Sequence, residues 1–289
     1  MTEHILENEE LRVTVADAGA ELVSVYDKSR KLERIWTGNP EVWNRHAPVL
    51  FPFVGKVTGG RYRIGGQEYS MKTQHGFARD RNFTCVSAAA DEVVHRLCAD
   101  EESLAVYPYS FCLTIRHCLK GRHLQVEWTV ENAGGERMLY SIGGHPGFLL
   151  PPGIRKEDCY ILFPEAESLR YIGADQAGFA LIHNVKTLNP EDGRAPYGKD
   201  IPETWIFEDR QVRRVGIATP DGSPYVRMDC AQFPMLAVWA NPAGPFICLE
   251  PWFGRTDDEG FEGSIDQKKD IQMLEPGERR EISYSMEFC

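Results

Sequence analysis

The sequence predicts an all-β fold in one large domain, and three observations predict it. Apolar residues recur at every second position in several stretches, most cleanly Phe111, Leu113, Ile115 and Leu119, and then Leu124, Val126, Trp128 and Val130. That is the period of a strand with one buried face. No stretch sustains a 3.6-residue apolar period over four turns, which argues against a helical architecture. Turn residues cut the chain at short intervals, among them Gly65-Gly66, Pro151-Pro152-Gly153, Asn189-Pro190 and Pro220-Asp221-Gly222. With 289 residues and no internal repeat, low-complexity block or linker, a single domain over 1–289 is expected.

In order along the chain, Leu11, Val13 and Val15 alternate with polar or small residues, Ala18-Gly19-Ala20 breaks the run, and Leu22 to Tyr26 resumes it. This predicts a hairpin. Ile35-Trp36 and Trp43 flank the turn residues Gly38-Asn39-Pro40, ahead of Ala47-Pro48-Val49-Leu50-Phe51-Pro52-Phe53-Val54-Gly55-Lys56. Prolines at that spacing exclude a helix, because each lacks an amide hydrogen and restrains its predecessor, so an ordered loop with buried aromatics is expected. Arg61 to Ile64 and Gln67 to Met71 flank Gly65-Gly66, a two-residue hairpin signal. The two cleanest strands, Phe111 to Leu119 and Leu124 to Val130, join through Lys120-Gly121-Arg122 and carry His117 on the buried parity, which reads as a core or edge histidine. Further strands are expected at Tyr160 to Phe163, Trp205 to Phe207, Tyr225 to Met228, Met235 to Trp239, Phe246 to Leu249 and Ile282 to Met286.

Composition narrows the function classes. A formal net charge of -11 argues against nucleic acid or an anionic membrane as the main partner, since each needs a basic footprint. A small ligand fits better. No run of eighteen apolar residues is present and Met1-Thr2-Glu3-His4 lacks the order of a signal peptide, so a cytoplasmic protein is expected. The eight cysteines are scattered without a C-x-x-C pair, which predicts buried free thiols and no cysteine-ligated zinc.

Candidate chemistry gathers at three places. Ser141-Ile142-Gly143-Gly144-His145-Pro146-Gly147-Phe148 sets one histidine among residues that shape the backbone, permitting positive φ or a close approach beside His145. Taken alone it equally describes a glycine-rich turn. Glu250 follows the apolar run Phe246 to Leu249 and precedes Pro251, where partial burial would raise its pKa toward neutrality and make it a better base. It also fits a solvated carboxylate at a strand end. His75 sits in Thr73-Gln74-His75-Gly76-Phe77-Ala78-Arg79-Asp80 beside a glycine and is open to both roles. Trp252, Phe148 and Phe77 lie close by in sequence and suit the apolar face of a sugar ring. A metal held by His75, His145 and Glu250 lacks the short spacing of a ligand pair, and the Walker A, G-x-S-x-G and G-x-G-x-x-G patterns are absent.

The order Ile35-Trp36 to Trp43, Ala47-Pro48-Val49-Leu50-Phe51-Pro52 to Lys56, Gln74 to Asp80, Gly144-His145-Pro146-Gly147-Phe148 and Leu249-Glu250-Pro251-Trp252 resembles the aldose 1-epimerase (mutarotase) superfamily, specifically its LacX-like branch. The resemblance spans nearly the whole chain. It implies a galactose-mutarotase-like antiparallel β-sandwich, an isomerase of the aldose 1-epimerase type acting on a hexose, and no cofactor. It further implies Glu250 as general base, His145 as general acid and His75 as a sugar-orienting histidine. Lys56 falls where many mutarotases have a substrate-contacting arginine, and its point charge does not reproduce a planar fork. Glu203 is the candidate for the family's sugar-binding aspartate. A branch acting on hexose 6-phosphates shares the His-Gly-Phe-Ala-Arg segment, with Arg79 as the group that would meet the phosphate. A non-catalytic sugar-binding or sensor protein of the same fold is the remaining alternative.

Overall fold

The computed structural model describes residues 2–198 and 204–289. Its strands pair antiparallel in two large sheets, with one short α-helix, Glu101–Val106, among the described residues. One sheet has nine strands, in spatial order Arg194–Pro196, Tyr160–Leu162, Arg214–Ala218, Pro224–Asp229, Arg279–Phe288, His123–Asn132, Phe111–Lys120, Glu92–Cys98 and Thr84–Ala88. The other has eight: Lys186–Leu188, Leu169–Ile172, Thr204–Phe207, Met235–Trp239, Phe246–Phe253, Ile142–Gly144 and Val49–Leu50, with Gly147–Leu149 also on Phe246–Phe253. A smaller sheet holds Glu3–Glu7, Leu11–Ala16, Leu22–Asp27 and Leu32–Glu33. No helix among the described residues is long and apolar enough to cross a membrane.

The alternating apolar residues explain why the two large sheets pack on each other. Trp128, Tyr284 and Met286 of the nine-stranded sheet share one buried core with Ile247, Leu249 and Phe253 of the eight-stranded sheet. Phe233 joins them, edge to face with Trp128 and Tyr284 at ring-centroid distances of 5.8 Å and 6.2 Å and tilted against Phe253 at 5.0 Å. His117 is buried on the parity expected of it. The Gly65-Gly66 hairpin forms as read, both glycines at positive φ, 55° and 85°.

One strand went unread in the sequence, and one expectation needs correction. The strand Glu3–Glu7 was not legible, because only Leu6 of its five residues is fully buried, so no alternation shows. The cysteines are not all free: Cys98 and Cys112 form a disulfide, and six remain as thiols. The two partners stand directly opposite in the Glu92–Cys98/Phe111–Lys120 ladder with Cα atoms 4.1 Å apart, a proximity set by register and invisible in their spacing. Unfolded without reductant, the chain is therefore expected to expose six titratable thiols, and eight after reduction. Closing a loop of this length contributes about 3 kcal/mol, so reduction should lower the stability measured by chemical denaturation by that order.

Candidate active site

The strand Phe246–Phe253 is buried along its whole length, and its two-residue period divides it between two environments. Ile247, Leu249 and Phe253 enter the core between the sheets. Phe246, Cys248, Glu250 and Trp252 therefore point to the opposite face, where Phe246 and Cys248 pack with Trp36, and Trp252 with Leu50, Val54 and Ala237. Glu250 is in mid-strand, opposite Ala237, and 1% exposed, so it is not the solvated strand-end carboxylate that its sequence context allowed.

One edge of this strand meets an interrupted neighbour. Ile142–Gly144 pairs with Trp252 and Phe253, Gly147–Leu149 pairs with Phe246 to Cys248, and between them His145-Pro146 leaves the ladder. Two prolines, Pro146 and Pro251, lie at the interruption, and neither has an amide hydrogen to give a ladder. There His145 Nε2 stands 3.2 Å from Glu250 Oε2. The backbone of His145 is held by its N–H donating to Pro48 O at 3.1 Å, and that of Gly147 by donation to His46 O at 2.9 Å. The glycines here serve close approach and not positive φ: a Cβ on Gly143 would come within 2.5 Å of Trp252 Cδ1.

Burial dominates the electrostatics of the pair. It pushes Glu250 well above the usual carboxylate range, and it pulls His145 down to about 3, with the positive charge of Arg79 acting in the same direction. Low dielectric thus disfavours charge on both partners and leaves one proton for the two to share. Glu250 Oε2 and His145 Nδ1 have no hydrogen-bond partner among the described residues.

His75 approaches the same point, its ring centroid 5.6 Å from that of His145. It sits at φ 66°, an uncommon conformation for a non-glycine residue, followed by Gly76 at φ 68°, where a Cβ would come within 2.3 Å of Phe51 O. Gly55 N–H donates to His75 Nδ1 at 2.9 Å, so the proton is on Nε2, and it donates to the Gln74 side-chain amide 2.8 Å away when that amide presents its oxygen. Burial, then the charges of His145, Arg79 and Lys56, hold His75 well below the ordinary histidine value, as a neutral donor.

These three residues line a cleft of ≈ 430 Å³, with Lys56, Arg79 and Trp252 also on its wall. Arg79 Nη2 donates to Gln74 O at 2.6 Å, whereas its buried Nε makes no hydrogen bond among the described residues and stands 4.0 Å from Asp80 Oδ2. Two sequence candidates fall elsewhere. Phe148 is fully buried in the core between the sheets, 6.3 Å from the Phe288 ring, because its strand parity turns it away from the cleft. Phe77 likewise packs on Phe51, Tyr107 and Phe111. Glu203 lies outside the described residues.

The structure adds residues that sequence reasoning missed. Trp43 and Trp239 flank His145, with centroids 4.9 Å and 5.4 Å away, and supply the aromatic wall that Phe148 does not. Asp175 and Gln176 also line the cleft, in a loop whose Asp175 Oδ1 accepts from Phe179 N–H at 2.8 Å. Trp43 and Gln74 stood inside recognisable motifs, but Asp175 and Trp239 carried no local signal. For a metal, His145, Cys248 and Glu250 offer donor atoms within 4.8 Å of one another, with Cys248 in place of His75. Burial holds that thiol protonated, its pKa well above the ordinary value.

Comparison with known proteins follows the same lines. The sequence model of the family described as aldose 1-epimerase matches residues 3–203. The plasmid-encoded protein LacX of Lactococcus lactis is 29% identical, with 97% of each chain covered. An X-ray structure of a galactose mutarotase related enzyme from Lactobacillus acidophilus superimposes with a TM-score of 0.91 at 30% identity, covering 100% of this chain and 97% of its own. A galactose mutarotase-like protein from Lactobacillus casei gives 0.90 at 28% identity, with both chains fully covered.

The close approach at Gly143 is testable. Gly143→Ala drives a methyl group into the Trp252 ring, and overpacking of this kind costs roughly 1–3 kcal/mol. A stability within ~0.5 kcal/mol of the parent chain, by denaturant titration of tryptophan fluorescence, would show that the contact is not tight.

Proposed function

Because the chain belongs to the aldose 1-epimerase family, we propose that it interconverts the α and β anomers of a hexose, with Glu250 as general base and His145 as general acid. The observation that carries this reading is the buried pair itself, a carboxyl and an imidazole 3.2 Å apart facing a cleft of ≈ 430 Å³. Burial rests the shared proton on Glu250; once it has passed to His145, Glu250 takes the proton of the anomeric hydroxyl while His145 gives its own to the ring oxygen. The bond between C1 and the ring oxygen breaks, and the open-chain aldehyde forms. Rotation about C1–C2 presents the other face of the carbonyl, the C5 hydroxyl attacks it, and both protons return by the same routes. Protons and electrons balance within these two groups and the sugar, so the reaction as written draws on no cofactor.

The remaining wall residues fit a pyranose. His75 Nε2–H, now turned to Gln74, is a neutral donor suited to the ring oxygen. Trp43, Trp239 and Trp252 offer apolar faces, while Lys56, Arg79 and Asp175 offer groups for hydroxyls. One observation favours a second reading, a hexose 6-phosphate as substrate: the buried Nε of Arg79 is a charged donor that makes no hydrogen bond among the described residues, its nearest carboxylate oxygen being that of Asp80 at 4.0 Å.

Polarimetry of freshly dissolved α-D-glucose, α-D-galactose and their 6-phosphates tests activity and substrate together. Glu250→Gln keeps shape and hydrogen bonding but cannot accept the proton, so the catalysed rate should fall by roughly 100- to 10,000-fold with sugar binding retained. Near-parental rates from the folded variant would remove Glu250 from the chemistry.

The pH dependence follows from one proton shared by two sites. Below the acid limb both groups are protonated and Glu250 cannot accept; above the alkaline limb neither is, and His145 cannot donate. Burial lowers the His145 value to about 3 and raises that of Glu250. The rate should therefore hold from below the ordinary histidine value of ~6.5 to above the usual carboxylate range. An acid limb at the ordinary histidine value would contradict the dry pair. For the phosphosugar reading, Arg79→Ala should slow hexose 6-phosphates much more than free hexoses, and equal effects would reject a phosphate contact.

A further inference from the structure

A second set of donor side chains lies at the seam between the four-stranded sheet and the last two strands of the nine-stranded sheet, and none of its members lines the sugar cleft. His4 comes from the strand Glu3–Glu7, and Asp17 from the turn after Leu11–Ala16. Cys85 and His95 stand opposite each other on Thr84–Ala88 and Glu92–Cys98, where the register shifts between Cys85 and Ser87. Such a bulge re-aims the side chains beside it.

Asp17 Oδ1 lies 2.8 Å from His4 Nε2 and 3.1 Å from His95 Nε2. The carboxylate accepts from both rings, which sets the proton of each on Nε2 and leaves a lone pair on each Nδ1. His4 Nδ1 stands 3.9 Å from Cys85 Sγ. His95 Nδ1 belongs to a ring with no solvent exposure and has no hydrogen-bond partner among the described residues. A plain hydrogen-bond network leaves that buried nitrogen unexplained, since burying an unpaired acceptor costs free energy. A carboxylate that takes the N–H of an imidazole and frees its other nitrogen is instead the outer arrangement usual around metal-binding histidines. One donor atom from each of His4, Cys85 and His95 lies within 4.8 Å of the other two.

We propose that His4, Cys85 and His95, oriented by Asp17, bind one divalent cation of the zinc class. Two imidazoles and a thiolate favour zinc over magnesium or calcium, which take oxygen ligands. The side chains of His4 and Asp17 are 18% and 24% exposed, so the cation reaches the site from solvent. The thiol proton passes to solvent as the Cys85–metal bond forms.

Equilibrium dialysis of the whole chain against micromolar free Zn²⁺, after chelator treatment, tests this, with Co²⁺ as a spectroscopic substitute. Wild type and His145→Asn should each hold one equivalent of zinc, which separates this site from the donors in the cleft. Cys85→Ser and His4→Ala should bind at least about tenfold more weakly, and Asp17→Asn about 10- to 100-fold more weakly. The Co²⁺ form should show a thiolate charge-transfer band that Cys85→Ser abolishes. No zinc retained by wild type, zinc retained in full by folded Cys85→Ser and His4→Ala, or zinc lost in His145→Asn would each overturn the proposal.

Discussion

A carboxyl and an imidazole held 3.2 Å apart in a wall of sheet, both almost out of water, impose a condition on everything around them. Each charged form is penalised by burial, so the two are most stable together while they hold one titratable proton in all. The sheet meets that condition by construction. Phe246–Phe253 buries Ile247, Leu249 and Phe253 on one side and turns Glu250 to the other, and its interrupted neighbour brings His145 opposite. A continuous ladder would have fixed residue 145 in a strand, with its side chain directed by parity alone.

The rim of the cleft is held by a different kind of contact. Lys268 and Asp257 form a buried ion pair, and burial, then the charge of Arg255, lowers the Lys268 pKa to about 7. Asp257 also accepts from Thr58 N–H at 2.7 Å, and its own N–H donates to Lys56 O at 3.1 Å. Next to it, Thr256 Oγ1 accepts from Lys56 N–H at 3.0 Å and donates to Gly178 O at 2.7 Å. Residues 256 and 257 thus tie the segment bearing Lys56 to the adjoining loop bearing Asp175, so that the two share one anchor. A buried ion pair adds little net stability, but losing one partner strands a charge, and that makes it a strong constraint on position.

What the sequence made legible divides along physical lines. Strands with one dry and one wet face announced themselves, as in Phe111–Lys120, because their period is a local property. The β-sandwich and the pairing of Glu250 with His145 came from the resemblance and not from periodicity. Glu250 looked like the end of a strand because Pro251 follows it. The strand runs on through the proline, since the ladder on one side is already broken at His145-Pro146, a fact of topology. Phe148 was misplaced for a similar reason: three residues, Gly147–Leu149, are too few to show which parity faces the core. Trp239 and Asp175 join the cleft from remote parts of the chain, and nothing in their neighbourhoods marks them. The Cys98–Cys112 bond likewise depended on register.

The alternation along Phe246–Phe253 also governs how this protein can change over generations. Glu250 and Trp252 form cleft wall while Ile247, Leu249 and Phe253 form the centre of the domain, so the same eight peptide units serve selection for chemistry and selection for folding. A substitution at Leu249 that alters core volume moves the backbone that carries Glu250, and close-packed interiors transmit such shifts with little damping. Variation that spares the central strand is therefore channelled to the rim, where Lys56, Gln74, Arg79 and Asp175 lie on other segments of the chain. Inheritance of the inner wall is all or nothing, whereas the lips are free to diversify.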